Sequence, residues 1–251
     1  MIKVFLAVSI LVLPGISASD SIQGTSSLGG LSGYLFLPGT DVLPEDALRI
    51  QGHLDYINRN DPSGDFLVFP LSAAWGCIDG FELGGEIPFY LDGGTGEDRL
   101  LGDITAGCAW LYETARGGSA LVLKGLVTLP TGLEGRDRGS ELALGVSTST
   151  TFRLFRLQAS SFYIVNGGRN PFKNHISDYA VFSIGGSSYI TRNFQIVGAV
   201  DGNTLGDLGL SGSGVLYVFN RISLFGVLRA GLSGGESYRL SAGVSWTGSG
   251  L

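Results

Sequence analysis

After its first eighteen residues this chain has no uninterrupted apolar run of eighteen. A helix needs about twenty such residues to cross a bilayer, so a helical membrane protein is excluded. Charge is scarce too, at 15% of residues, and the balance is acidic, with a net charge of -6. Without a basic footprint, nucleic acid drops out as a partner. Only two cysteines occur, Cys77 and Cys108, too few for a disulfide scaffold. Both fall on apolar faces of predicted strands with one strand between them, about 10 Å apart at the usual ~4.8 Å strand spacing. Free, lipid-facing thiols are therefore expected in preference to a bridge.

What is abundant points one way. Hydrophobic residues make up 44% and glycine numbers 41, with a mean hydropathy of +0.28. So much glycine disfavours helices and suits strands with close backbone approach and tight bends. Residues 1–18 carry Lys3, an apolar core Val4–Leu13, a Pro14-Gly15 break and small residues before a cut after Ala18. That is the make-up of a secretory signal peptide, which places the mature chain outside the cytoplasm.

The last part of the chain shows the ruling pattern. Ile222, Leu224, Gly226, Leu228, Ala230 and Leu232 alternate with Ser223, Phe225, Val227, Arg229, Gly231 and Ser233. Past Gly234-Gly235-Glu236, Tyr238, Leu240, Ala242, Val244 and Trp246 alternate with Arg239, Ser241, Gly243 and Ser245. Each run is about ten residues, the span of a tilted strand across a bilayer. The pattern recurs over 47–57, 65–76, 81–91, 101–113, 120–129, 140–152, 153–165, 178–190, 193–205, 208–219, 222–233 and 238–246. About twelve strands, an even number, are expected of a single-chain bacterial barrel. Junctions alternate in length. Ile78–Gly80, Thr151–Arg153, Thr191–Asn193 and Asn220-Arg221 are short, and Glu113–Ser119 is slightly longer. Asn58–Gly64, Asp92–Leu100, Pro130–Gly139 and Asn166–Ser177 are longer and polar, and the final Gly234-Gly235-Glu236 is short. Short periplasmic turns and long outer loops give that rhythm, which a soluble β-sandwich lacks. The expected fold is all-β: a transmembrane antiparallel up-and-down β-barrel over 47–251, monomeric, with both ends periplasmic.

Ahead of the barrel, residues 19–46 hold Gly33-Tyr-Leu-Phe-Leu-Pro38 and Leu43-Pro-Glu-Asp46. Pro38 and Pro44 argue against a central strand. A periplasmic lead-in, a short extra strand and a plug in the lumen all stay open for this segment. With Phe81-Glu-Leu-Gly-Gly-Glu-Ile-Pro88, Gly102-Asp103 and Leu129-Pro-Thr-Gly132, these pieces make the chain resemble small outer-membrane barrels, the meta-pathway phenol-degradation transporters and related exopolysaccharide-locus proteins. The resemblance implies the outer membrane and the passage of small or hydrophobic organic solutes. It brings no catalytic residue.

Charged side chains are expected to line the lumen, since an outward charge costs about 2–4 kcal/mol at the bilayer midplane. The lumen-lining candidates are Arg49, His53, Glu82, Glu86, Lys124, Arg156, Arg229 and Arg239. His53, Glu86 and Lys124 fall near mid-height, and Gly107, on the strand between those of Glu86 and Lys124, is expected to let the two charges reach across it. Glu82 and Glu86 on one wall face Arg229 and Arg239 near the closing seam. That arrangement reads either as a transverse field acting on a solute or as ion pairs that fill a narrow barrel.

Enzyme chemistry finds little support. A hydrolase needs a nucleophile, a histidine base and an orienting group. The two histidines are His53, inside the lumen and out of reach of a lipid ester, and His175, in a loop followed by Ser177 and Asp178. Nearness in sequence is not triad geometry. The loop Asp92-Gly-Gly-Thr-Gly-Glu-Asp98 lacks the lysine and helix of a phosphate cradle; it and Glu134–Arg138 are read as solvated outer loops. No metal or cofactor is expected. The partners expected are outer-membrane lipid and small solutes. A docking role without channel activity, through residues 19–46 to a periplasmic or envelope partner, is the alternative.

Overall fold

The computed structural model describes residues 25–26, 30–33, 37–59, 65–92, 101–113, 119–131, 140–153, 155–166, 178–219, 221–234 and 236–249. The signal peptide, the glycine-rich loop after Asp92, the loop 134–138 and His175–Ser177 lie outside them.

Two short strands, β1 (Thr25–Ser26) and β2 (Ser32–Gly33), pair with each other. The next twelve are β3 (Ala47–Arg59), β4 (Phe66–Ile78), β5 (Phe81–Asp92), β6 (Ile104–Glu113), β7 (Ser119–Leu129) and β8 (Glu141–Phe152), followed by β9 (Phe155–Asn166), β10 (Tyr179–Thr191), β11 (Phe194–Asn203), β12 (Leu208–Phe219), β13 (Ile222–Ser233) and β14 (Glu236–Ser249). Each pairs antiparallel with its neighbours in sequence, and β14 returns to β3 to close a barrel.

Strand pairing sets two strand ends that periodicity alone misses. β14 continues past Trp246 to Ser249 because Gly248 and Ser249 pair with Leu48 and Ala47. β6 begins at Ile104, not Leu101. Pro88 has no N–H to donate across the β5–β6 seam, so the ladder from Phe81–Trp110 ends at Glu86–Thr105, and beyond it only a Phe89–Leu101 bridge and a Gly102 N–H bond to the Pro88 carbonyl remain.

Inside and outside are inverted relative to a water-soluble protein. Along β3, Arg49, Gln51, His53 and Asp55 are 0–2% exposed while Ile50 and Leu54 are each 43% exposed. The same alternation runs round the wall, which turns most of its leucines, valines and isoleucines outward. Such a face suits hydrocarbon, and closure leaves no strand edge to satisfy. Trp75, Trp110, Tyr112, Phe152, Phe219 and Trp246 face outward at the short-turn end, and Tyr163, Phe182 and Tyr238 do so at the long-loop end. These are the two aromatic girdles of a membrane barrel. Cys77 and Cys108 are free, half-buried thiols; Cys77 sits at the irregularity between Gly76 and Ile78, its Sγ 3.7 Å from the Phe81 carbonyl.

Candidate functional site, a lumen filled by its own chain

The interior of the barrel is occupied by the segment that precedes it. Leu31, Leu37 and Leu43, six residues apart, are each at most 1% exposed. Leu31 packs among Ala109, Val122, Leu126, Ala143 and Phe162 of β6–β9. Leu37 enters a second cluster on the opposite wall, with Val197, Ala199, Val215 and Phe225 of β11–β13. Leu43 sits against Ala47 and Ala74 beside the start of β3. Inward apolar positions on the strands, a departure from the polar lining, thus receive one leucine each. The chain also approaches the wall closely at Gly30, where φ is +76° and a Cβ would lie 2.3 Å from the Gly85 carbonyl oxygen. Only glycine fits such a position without strain.

Polar contacts hold what the leucines align. Glu82, wholly buried, accepts hydrogen bonds from the Ser32 N–H at 2.6 Å, the Ser32 hydroxyl at 2.5 Å and the Leu43 N–H at 2.9 Å. Arg49 donates to Ser32 Oγ at 2.9 Å, and Lys124 Nζ donates to the Ser32 carbonyl at 3.0 Å. One carboxylate and two cations therefore converge on a single turn of the segment. Eight and nine residues on, Arg156 donates to Thr40 Oγ1 at 2.7 Å and to Asp41 at 2.6 Å, and the Thr40 and Ser149 hydroxyls are 2.6 Å apart.

The remaining candidates lie higher in the barrel. Arg239 pairs with the buried Asp55, whose carboxylate is also 3.5 Å from His53 Nε2. The His53 ring rests against Phe225, with centroids 5.8 Å apart. Arg229 binds Asp201 through Nε and Nη2, at 3.0 and 2.7 Å, and Glu236 through Nη1 at 2.8 Å. Glu86, half-buried, faces a cavity of about 370 Å³ on the long-loop side of the segment. Leu126 and Phe162, which also pack on Leu31, form part of its lining, with Tyr90, Asp103, Glu141 and Arg239 around it.

Two expectations change. Glu86 and Lys124 do not meet across Gly107: Lys124 goes to Ser32, and the space over Gly107 is taken by Leu126 and Leu31, which a Cβ there would meet at 2.4 and 3.3 Å. Nor do Arg229 and Arg239 stand as one pole opposite Glu82 and Glu86, because each is matched by a carboxylate on its own or a nearby strand. The carboxylates that neutralise them are Asp55, Asp201 and Glu236, of which Asp201, the single charge in β11, is the visible signal in the sequence.

No protein-family model matches the chain, and no curated protein matches it. Solved structures do. The COG4313 outer membrane channel from Pseudomonas putida F1 superposes with a TM-score of 0.64 at 12% identity, covering 82% of this chain and 97% of that one. The NanC porin gives 0.59 at 9% identity over 79% and 98% of the two chains. The KdgM porin in complex with disordered oligogalacturonate gives 0.55 at 7% identity over 80% and 98%. At these identities the likeness is one of fold. The chain has the porin-like architecture of outer-membrane β-barrels.

Proposed function

We propose that this protein is an outer-membrane channel for the passive passage of small organic solutes, kept closed by residues 30–46 and opened when that segment leaves its wall. The observation that carries the reading is the cavity of about 370 Å³ facing the long loops, beneath which the lumen is filled by Leu31, Leu37 and their neighbours. A solute entering from outside meets a mixed apolar and polar chamber and then a removable floor. The resemblance to meta-pathway phenol-degradation transporters agrees with a small, partly apolar cargo. A lumen for acidic sugar chains such as the oligogalacturonate held by KdgM agrees less well, because the inward Arg156, Arg229 and Arg239 are each paired with a carboxylate of this chain. A docking role would have to use residues outside the buried stretches 30–33, 37–40 and 43, the exposed Pro44–Asp46 at the short-turn end among them.

The Thr40 and Ser149 hydroxyls supply the test. Their oxygens are 2.6 Å apart, near the roughly 2.05 Å S–S bond of a disulfide, so cysteines at both positions are placed to be joined. In a Cys77→Ser, Cys108→Ser background, oxidised Thr40→Cys/Ser149→Cys barrels in liposomes should block swelling by small organic solutes, and reduction should restore it. Equal swelling in both states would send the solute out elsewhere, the sparsely paired outer half of the β5–β6 seam being the opening the wall offers, and would overturn displacement of the segment.

A further inference from the structure

We infer that the cavity above the occluding segment binds compact organic cations, an aromatic or alicyclic body bearing one ammonium group, and that Glu86 sets this preference for positive charge. The inference rests on the cavity being a solute entrance and assigns the class of solute.

Size and surface come first. About 370 Å³ lies in the range of roughly 300–1,000 Å³ typical of small-molecule sites. The walls are largely apolar, with Val68, Pro70, Pro88, Leu126 and Phe162 among them. They suit a ring or short hydrocarbon body and exclude a long extended chain, because the chamber ends at the Leu31 cluster.

Charge decides the rest. Glu86, Asp103 and Glu141 line the cavity, and Arg239 is the one cation among its described lining residues. That guanidinium is already bound to the buried Asp55, whose charge opposes the pull that Arg239 and His53 exert on Glu86. Glu86 is different. It is set into the wall between Pro88 and Gly85 on β5, opposite Ser72 on β4 and Thr105 on β6, and among the described residues no hydrogen bond reaches its carboxylate. A carboxylate in a chamber with low-dielectric walls projects its field along the cavity, drawing cations in and repelling anions. An ammonium group placed there would give Glu86 the donor it lacks, while the body stays on the apolar wall.

Isothermal titration of the full-length, detergent-solubilised barrel with four matched probes tests this: phenethylammonium, phenethyl alcohol, 3-phenylpropionate and ethylammonium. Phenethylammonium should bind about tenfold or more tighter than the alcohol and than ringless ethylammonium, with no binding by the carboxylate. Glu86→Gln should weaken phenethylammonium about tenfold, some 1.4 kcal/mol, and leave the alcohol unchanged. If Glu86→Gln fails to fold, Glu141→Gln at the rim should weaken the ammonium probe alone by a smaller factor. The proposal is overturned if the wild type binds none of the probes at millimolar concentration, if the carboxylate binds as well as the ammonium, or if the preference survives in both variants. Intact binding without any flux in liposomes would instead sink the channel reading and leave the site standing.

Discussion

Replacing Glu82 by alanine should release the segment that fills the lumen. Three donors of the segment or its end, the Ser32 N–H, the Ser32 hydroxyl and the Leu43 N–H, share this one buried carboxylate. A hydrogen bond to a charged group contributes about 1.5–3 kcal/mol, but three on one acceptor do not add. A sounder figure is the roughly 3–5 kcal/mol lost when one partner of a buried charged cluster is removed. Arg49 and Lys124, which converge on Ser32, would then face each other's charge with Glu82 gone. The barrel ladder at position 82 is made by its backbone, which alanine keeps, so the loss falls on the docked segment. At about 1.4 kcal/mol per tenfold, the undocked fraction should rise roughly a hundred- to several-thousand-fold. Thr40, 2% exposed when docked, reports it. In the cysteine-free background, a Thr40→Cys thiol should react with a water-soluble maleimide far faster when Glu82→Ala is added, and bilayer recordings should show longer openings. Unchanged labelling and unchanged openings in a folded Glu82→Ala barrel would refute the latch.

Leu37→Ala should cost about 2–5 kcal/mol, the usual range for emptying a buried leucine site, and should also speed Thr40→Cys labelling; an unchanged rate would show that the Val197–Phe225 cluster does not hold the segment. Leu228→Arg places a charge on the lipid face at mid-strand, where Leu228 is 54% exposed, and should lower stability by about 2–4 kcal/mol in urea titrations in lipid. Its neighbour Arg229 is tolerated because it points inward to Asp201 and Glu236, so a harmless Leu228→Arg would contradict the assigned faces.

The wall of this barrel is legible because lipid outside and polar groups inside force a period of two on every strand, and a one-residue slip would invert all of it. Ile222–Trp246 shows this, with Leu224, Leu228, Leu240 and Val244 exposed and Ser223, Arg229, Ser241 and Ser245 buried. The path of residues 30–33 and 37–46 left no such trace. These residues are held by contacts to four or more different strands, and the leucine spacing at 31, 37 and 43 matches neither a helix nor a strand. The expectation for Gly107 failed for the same reason: the period of the wall does not place any residue of the preceding segment, and Leu31 takes the space over Gly107. Short-range charge partners were also hidden, since the register that sets Arg239 beside Asp55 depends on how β14 closes on β3.

Single-channel conductance of the mature protein beside a variant lacking Ser19–Thr40 tests the occluded channel most directly. Removing Leu31, Ser32 and Leu37 takes away two of the three leucine anchors and most of the Glu82 contacts. The intact protein should conduct little and briefly, and the shortened one should show a large, steady conductance. Equal conductance from the two, whether both open or both silent, would contradict a channel closed by its own N-terminal segment.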